Sequence, residues 1–188
     1  MVRHILSRKE DMVGLAESWV VVDVETTGLS SVRDRIIEIG AVAGEGRVIT
    51  GEFHSLIDAG HPIHWQAQKV HGISDEMLRG QPRPEQALAE FHRFLGHSSL
   101  LAHNASFDVA FLRNEFARFG LGLSNQHYCT LRLARQRFPR LPNHRLETVF
   151  RYLGGVVDDS VRRHRALDDA RMAAFVWRVL SRGDDAGF

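Results

Sequence analysis

The chain has 188 residues, 44% of them hydrophobic, enough for one domain with a sizeable core and too few for two comfortable ones. Its 24 Lys and Arg against 23 Asp and Glu leave a formal net charge of +1, which excludes a polybasic nucleic-acid coat or membrane-surface protein. One cysteine, Cys129, excludes a disulfide framework and a cysteine-rich zinc site, and no apolar stretch approaches the roughly 20 residues of a membrane span, so the cytoplasm is the expected location.

Residues 1–17 mix Arg3, Arg8, Lys9, Glu10 and Asp11 without a continuous apolar block and read as an N-terminal extension rather than a secretory signal. Trp19 to Val24 is a β-branched apolar run closed by Thr26, Thr27 and Gly28, the pattern of a buried central strand. Ile36 to Val42 and Arg47 to Phe53, around the turn Gly44-Glu45-Gly46, complete a three-stranded antiparallel meander. Pro62 to His71 is irregular or briefly helical. Ser74 caps a short helix to Leu78, and Pro84 to Leu95 carries Leu88, Phe91 and Leu95 at helical spacing before Gly96. Ser99 to Ala102 is a further strand, feeding a helix capped by Ser106 and stopped at Gly120. Thr130 to Phe138, Leu146 to Leu153 and Ala166 to Leu180 are the remaining helices, and 183–188 is a short flexible tail on a domain spanning 18–182. The order predicts an α/β domain with a mixed central sheet flanked by helices.

Several acids sit where apolar residues belong. Asp23 and Glu25 end the first strand, two apart and therefore on one face; either the strand has stopped and both face water, or a cation sits between them. Asp108 falls in the first turn of its helix, where an acid complements the dipole, yet Leu112 and Phe119 place it beside the apolar arc. Asp169 shares the packing stripe of Ala166, Ala173, Val176 and Leu180, whereas Asp168 leans to the polar side; His164 precedes the helix. Four acids from three segments, plus a histidine, have one economical joint use: a hydrolytic site holding two divalent ions about 4 Å apart. Oxygen ligands suit Mg²⁺ or Mn²⁺ rather than zinc, and phosphodiester cleavage fits. Cationic charge is almost all arginine and dense between Arg113 and Arg165, which reads as a solvated surface or as a phosphate-attracting region.

Three segments resemble the motifs of the DnaQ-like exonucleases of the DEDDh type, in the RNase H-like superfamily. They are Val22-Asp23-Val24-Glu25-Thr26-Thr27-Gly28-Leu29, Ala102-His103-Asn104-Ala105-Ser106-Phe107-Asp108 and His164-Arg165-Ala166-Leu167-Asp168-Asp169. Weaker similarity runs through Val70-His71-Gly72-Ile73 and Pro142-Asn143-His144-Arg145-Leu146. The resemblance implies an RNase H-like fold in which Asp23, Glu25 and Asp169 hold one metal, Asp23 bridges to a second and Asp108 supports that second ion. It makes His164 the general base, a role suited to an imidazole near neutral pH. It assigns the terminal nucleotide to Thr26, Thr27 and Gly28, with Leu29, Val70, His71 and Phe107 around base and sugar. Asn104 orders the loop before Asp108 or touches substrate, and His103 is structural. Cys129 stands where many relatives carry an Asp before the next helix, so a structural contact is expected to be missing.

The resemblance implies 3′→5′ removal of nucleoside 5′-monophosphates. The uninterrupted Glu25-Thr26-Thr27-Gly28 looks most like the proofreading subunit or domain of bacterial replicative DNA polymerase, which favours DNA 3′ ends as substrate and a polymerase subunit as partner. RNA trimming of the RNase T or oligoribonuclease type is the alternative, and a non-catalytic adaptor binding polymerase or nucleic acid is the reading from another class. The short tail is not expected to tether the domain to a polymerase.

Overall fold

The structure, a computed structural model, describes residues 18–157 and 164–181; the predicted N-terminal extension 1–17 and tail 183–188 lie outside the described residues. Among the described residues the strands are β1 (Ser18–Thr26), β2 (Ile36–Glu45), β3 (Val48–Leu56), β4 (Ser99–Ala102) and β5 (His127–Cys129). They form one sheet in the order β3-β2-β1-β4-β5. The first three make the expected antiparallel meander, and β4 and β5 add on in parallel. Helices α1 (Trp65–His71), α2 (Asp75–Leu78) and α3 (Pro84–Leu95) lie between β3 and β4, and α4 (Ala105–Arg118) follows β4. After β5 come α5 (Thr130–Arg137), α6 (Leu146–Tyr152) and α7 (Ala166–Leu180). Among the described residues no helix is long and apolar enough to cross a membrane.

The period-2 geometry of β1 divides the core. Val20, Val22 and Val24 pack with α3 and α4, including Leu88, Phe91, Leu112 and Phe116. Trp19 and Val21 pack on the other face with Ala170, Ala173, Val176 and Trp177 of α7 and with Val149 and Phe150 of α6. Asp23 and Glu25 continue the odd-numbered series, so the strand delivers them to the α7 face. A bidentate pair between partly buried Arg35 and buried Glu115, Nε to Oε1 at 2.6 Å and Nη2 to Oε2 at 2.9 Å, ties α4 to the start of β2.

One sequence expectation needs correction, and one strand lies outside the sequence expectations. The cap of α4 is Asn104, not Ser106: Asn104 sits at φ 78°, a left-handed conformation that Asn tolerates better than most residues, and Ser106 lies one residue inside the helix. Strand β5 has no signature in the sequence, because three residues are too few to display alternation and only parallel pairing of Leu100–Ala102 with His127–Cys129 defines it. Cys129 stands at the N-cap of α5 and makes no side-chain capping bond.

Candidate active site

β1 remains paired with β2 through Glu25, with Asp23 opposite Gly40 and Glu25 opposite Glu38, so both acids stand inside the sheet and not in a solvated turn. Asp108 reaches them because β1 and β4 are parallel and α4 starts just beyond the carboxyl end of β4, where open α/β sheets gather functional groups. Its carboxylate is buried and accepts a hydrogen bond from the Val24 N–H at 3.2 Å. Asp169 comes from the first turn of α7, and His164 precedes that helix with φ 57°. A non-glycine residue held there stores strain, which the surroundings must enforce. One ligand atom from each of Glu25, His164 and Asp169 lies within 4.8 Å of the others. Asp23 and Asp108 stand outside this closest trio. Asp168 turns away and pairs with Arg171 at 3.1 Å.

Two features place α7, and neither has a role that the sequence pattern assigns. A Cβ on Gly40 would lie 2.1 Å from Ala166 C and Leu167 N, so the helix start rests directly on β2 where only glycine fits. Glu38 is fully buried, accepts the Ala166 N–H at 3.1 Å and holds Arg165 Nη2 at 2.8 Å. This strand carboxylate supplies the cap that α7 lacks in its own sequence. Burial opposes its charge, but the bonds from His54, Arg165 and Ala166 prevail and hold the Glu38 carboxyl at about 2. The helix is thereby fixed on the sheet with Asp169 and His164 aimed at Glu25.

The other acids behave oppositely. Burial first, then the charges of Asp108, Asp169 and Glu25, push Asp23 well above the usual carboxylate range. Burial and then Asp169 and Glu38 push Glu25 from 4.5 to about 9, with Arg165 pulling weakly down. Burial, then Asp168, raises Asp169 from 3.8 to about 7, and burial raises Asp108 from 3.8 to about 7 against bonds from its own N–H and that of Val24. Among the described residues the one guanidinium that lowers Glu25, Arg165, is already committed to Glu38, and four carboxylates so crowded fit a site completed by divalent cations.

These shifts predict a pH dependence. Without metal the folded chain retains protons on Glu25, Asp108 and Asp169 that the unfolded chain releases near pH 4, so stability falls as pH rises from about 4 to about 9. The melting temperature in chelator should therefore drop between pH 5 and 9, and added Mn²⁺ should raise it most at the alkaline end. Parallel profiles with and without Mn²⁺ would contradict a preformed metal site.

The remaining predicted residues come from the end of β1 and the turn after it, from α1 and from the start of α4. Thr26 Oγ1 donates to Gly28 O at 2.6 Å, and Thr27 is buried. A Cβ on Gly28 would come within 2.6 Å of the Asp34 carboxylate and the His64 ring, which would have to move aside. Leu29 and Val70 are exposed, Phe107 is half-buried against Phe111, and His71 is buried. His71 Nδ1 accepts the Ile73 N–H at 3.0 Å, while its buried Nε2 makes no well-formed hydrogen bond among the described residues. His103 is structural, bonded to Thr130 Oγ1 and His144 O at 2.9 Å each. A groove of about 960 Å³ opens from His164 and Asp169 past Asn104 to Arg135, Arg145 and Arg151. Arg151 pairs with Glu147, whereas Arg135 and Arg145 have no carboxylate partner among the described residues. Part of the arginine-rich region is thus a wall of the site.

The sheet order and the acid cluster at the strand ends define an RNase H-like domain of the DnaQ-like exonuclease type. The chain belongs to the exonuclease family RNase_T, whose sequence profile matches residues 20–176. It is 42% identical over 168 residues to a PolC-type DNA polymerase III of Halalkalibacterium halodurans, covering 88% of this chain and 12% of that protein. Against the PolC-type polymerase of Clostridium perfringens it is 38% identical over 158 residues, covering 84% and 11%. The chain therefore spans about an eighth of the length of these relatives. Exonuclease X in complex with 5′ overhanging duplex DNA superposes with a TM-score of 0.70 at 26% identity, covering 86% of this chain and 90% of that one. E. coli exonuclease I with a dT13 oligonucleotide gives 0.76 at 18% identity over 87% and 41% of the two chains, a likeness of fold alone.

Proposed function

We propose that this domain hydrolyses DNA from the 3′ end, one nucleoside 5′-monophosphate at a time, in a proofreading or repair setting. The observation that carries the reading is that Glu25, Asp169 and His164 meet within 4.8 Å, with buried Asp23 and Asp108 close enough to repel Glu25, where His164 and Asp169 line an arginine-walled groove. The four acids would hold two divalent ions, Mg²⁺ or Mn²⁺, which when bound stabilise the oxygens that exchange at phosphorus. His164 accepts the proton of the attacking water as the bond from phosphorus to the 3′ oxygen breaks, and the released 3′ oxygen takes a proton from solvent. Its exposed position beside Glu25 and Asp169 suits a group that must exchange protons with water.

Substrate recognition falls to the remaining residues. His71, buried with its ring against the Thr26 backbone, stands toward the terminal nucleotide, with Leu29, Val70 and Phe107 offering apolar contact to any base. Thr26, Thr27 and Gly28 bring the backbone close, and Asn104 stands at the groove. Arg135 and Arg145 attract the phosphates upstream. Replacing both by alanine should raise KM and flatten its salt dependence by roughly 0.7 log units for each phosphate no longer neutralised, with little change in kcat. An unchanged salt slope would remove the groove from the substrate path.

The similarity to PolC-type polymerases supports DNA and a polymerase partner. Matched DNA and RNA oligomers, degraded at the same salt and metal concentration, test the choice. Faster loss of the DNA is expected; faster loss of the RNA would transfer the domain to RNA trimming.

A further inference from the structure

The surface beside the candidate site carries an aromatic residue that the catalytic account does not use. Trp65, at the start of α1, is 69% exposed, while the chain's other tryptophans, Trp19 and Trp177, are 1% exposed each. A tryptophan left this exposed offers a flat apolar face to a ligand. The backbone just before it is tied to the end of the catalytic strand: His64 N–H donates to Thr27 O at 2.8 Å, and the His64 ring lies where a Cβ of Gly28 would be, at 2.6 Å. Leu29, the residue after Gly28, is 87% exposed. Two solvent-facing apolar side chains therefore flank a single contact between segments, a few residues along the chain from Glu25.

Helix α1 runs from this point to His71, whose Nε2 is buried without a well-formed hydrogen bond. Six residues at 1.5 Å separate Trp65 from His71 by about 9 Å, too far for both to hold one base. Lys69 is one turn along from Trp65 on the same face and has no ion pair among the described residues, so an aromatic plane and a free ammonium lie side by side. That combination matches a nucleobase and its adjoining phosphate, and the helix that carries it also carries His71.

We infer that Trp65, with Lys69, forms a stacking platform for an unpaired base upstream of the 3′-terminal nucleotide. The inference rests on the exonuclease reading and adds to it a subsite that distinguishes an oligomer from a single nucleotide. A stacked indole is quenched and sequence-tolerant, so the platform favours single strands over paired ends without selecting a base.

The test compares the full chain with Trp65→Ala and Trp65→Phe on two substrates: a thymidine oligomer and the p-nitrophenyl ester of thymidine 5′-monophosphate, which has one base. Trp65→Ala should raise KM for the oligomer roughly 5- to 100-fold, leave kcat within about two-fold and leave the ester unaffected, with Trp65→Phe restoring most of the loss. Titrating the oligomer into an Asp169→Asn chain, which spares the strand, should quench tryptophan emission, and the quench should vanish with Trp65→Phe added. Equal oligomer KM for all three chains, with no quench, overturns the platform and leaves the patch to a protein partner. Failure of the unaltered chain on both substrates would instead sink the exonuclease reading beneath it.

Discussion

Gly40→Ala is expected to disable the domain more completely than its size suggests. The added methyl would stand 2.1 Å from the backbone of Ala166 and Leu167, an atom pair that cannot move aside as a flexible side chain could. Strand β2 and the start of α7 must separate, which breaks the bond from Ala166 N–H to Glu38 and loosens the Arg165 clamp. Overpacking of this kind costs about 3 kcal/mol, equivalent to roughly 6–12 °C in melting temperature for a domain of this size. Activity should suffer further, since displacing a reacting group by about 1 Å costs on the order of 100-fold. A variant that melts within a degree of the parent and turns over normally would show that Asp169 is not positioned from Gly40. Glycine is required here for closeness, not for backbone freedom, and the position opposite Asp23 makes it part of the site's construction.

His164→Ala is expected to lower kcat by roughly 10²- to 10⁴-fold, the usual range for a general base. The concentration of Mn²⁺ needed for half-maximal activity should move far less, because the carboxylates remain. Equal losses in turnover and metal affinity would make His164 a ligand instead, an outcome its closeness to Glu25 and Asp169 makes worth measuring. Relief of the strained φ of 57° gives a second signature. His164→Gly should lose turnover like the alanine variant while gaining some thermal stability, since glycine adopts that conformation freely.

Much of this site is legible in the amino-acid sequence. The odd-even alternation of β1 puts Asp23 and Glu25 on one face, and helical periodicity separates Asp169 from Asp168; both stand where that logic places them, Asp168 on Arg171 and Asp169 beside Glu25. The meander and the long helices are legible for the same reason, since each buries a stripe with a fixed period. What the pattern hides depends on contacts between distant segments. Glu38 is an acid on an ordinary strand until pairing sets it opposite Glu25 and beneath Arg165. Gly40 gives no sign of its role because the atoms it accommodates belong to the far end of the chain, at Ala166 and Leu167. Arg135 and Arg145 cannot be told from solvated arginines until α5 and α6 are folded around one groove. Asn104 displaces Ser106 as the cap because a left-handed turn decides the competition, which composition alone does not reveal.

The central claim is that five side chains of this domain form a working, metal-dependent exonuclease and not the relic of one. It is tested most directly by following release of thymidine 5′-monophosphate from a single-stranded oligomer in Mn²⁺, in chelator, and in Mn²⁺ with Asp23→Ala. The expected result is stepwise release from the 3′ end in the first case alone. Binding of the oligomer without release, or release that persists in the Asp23→Ala chain, would contradict it.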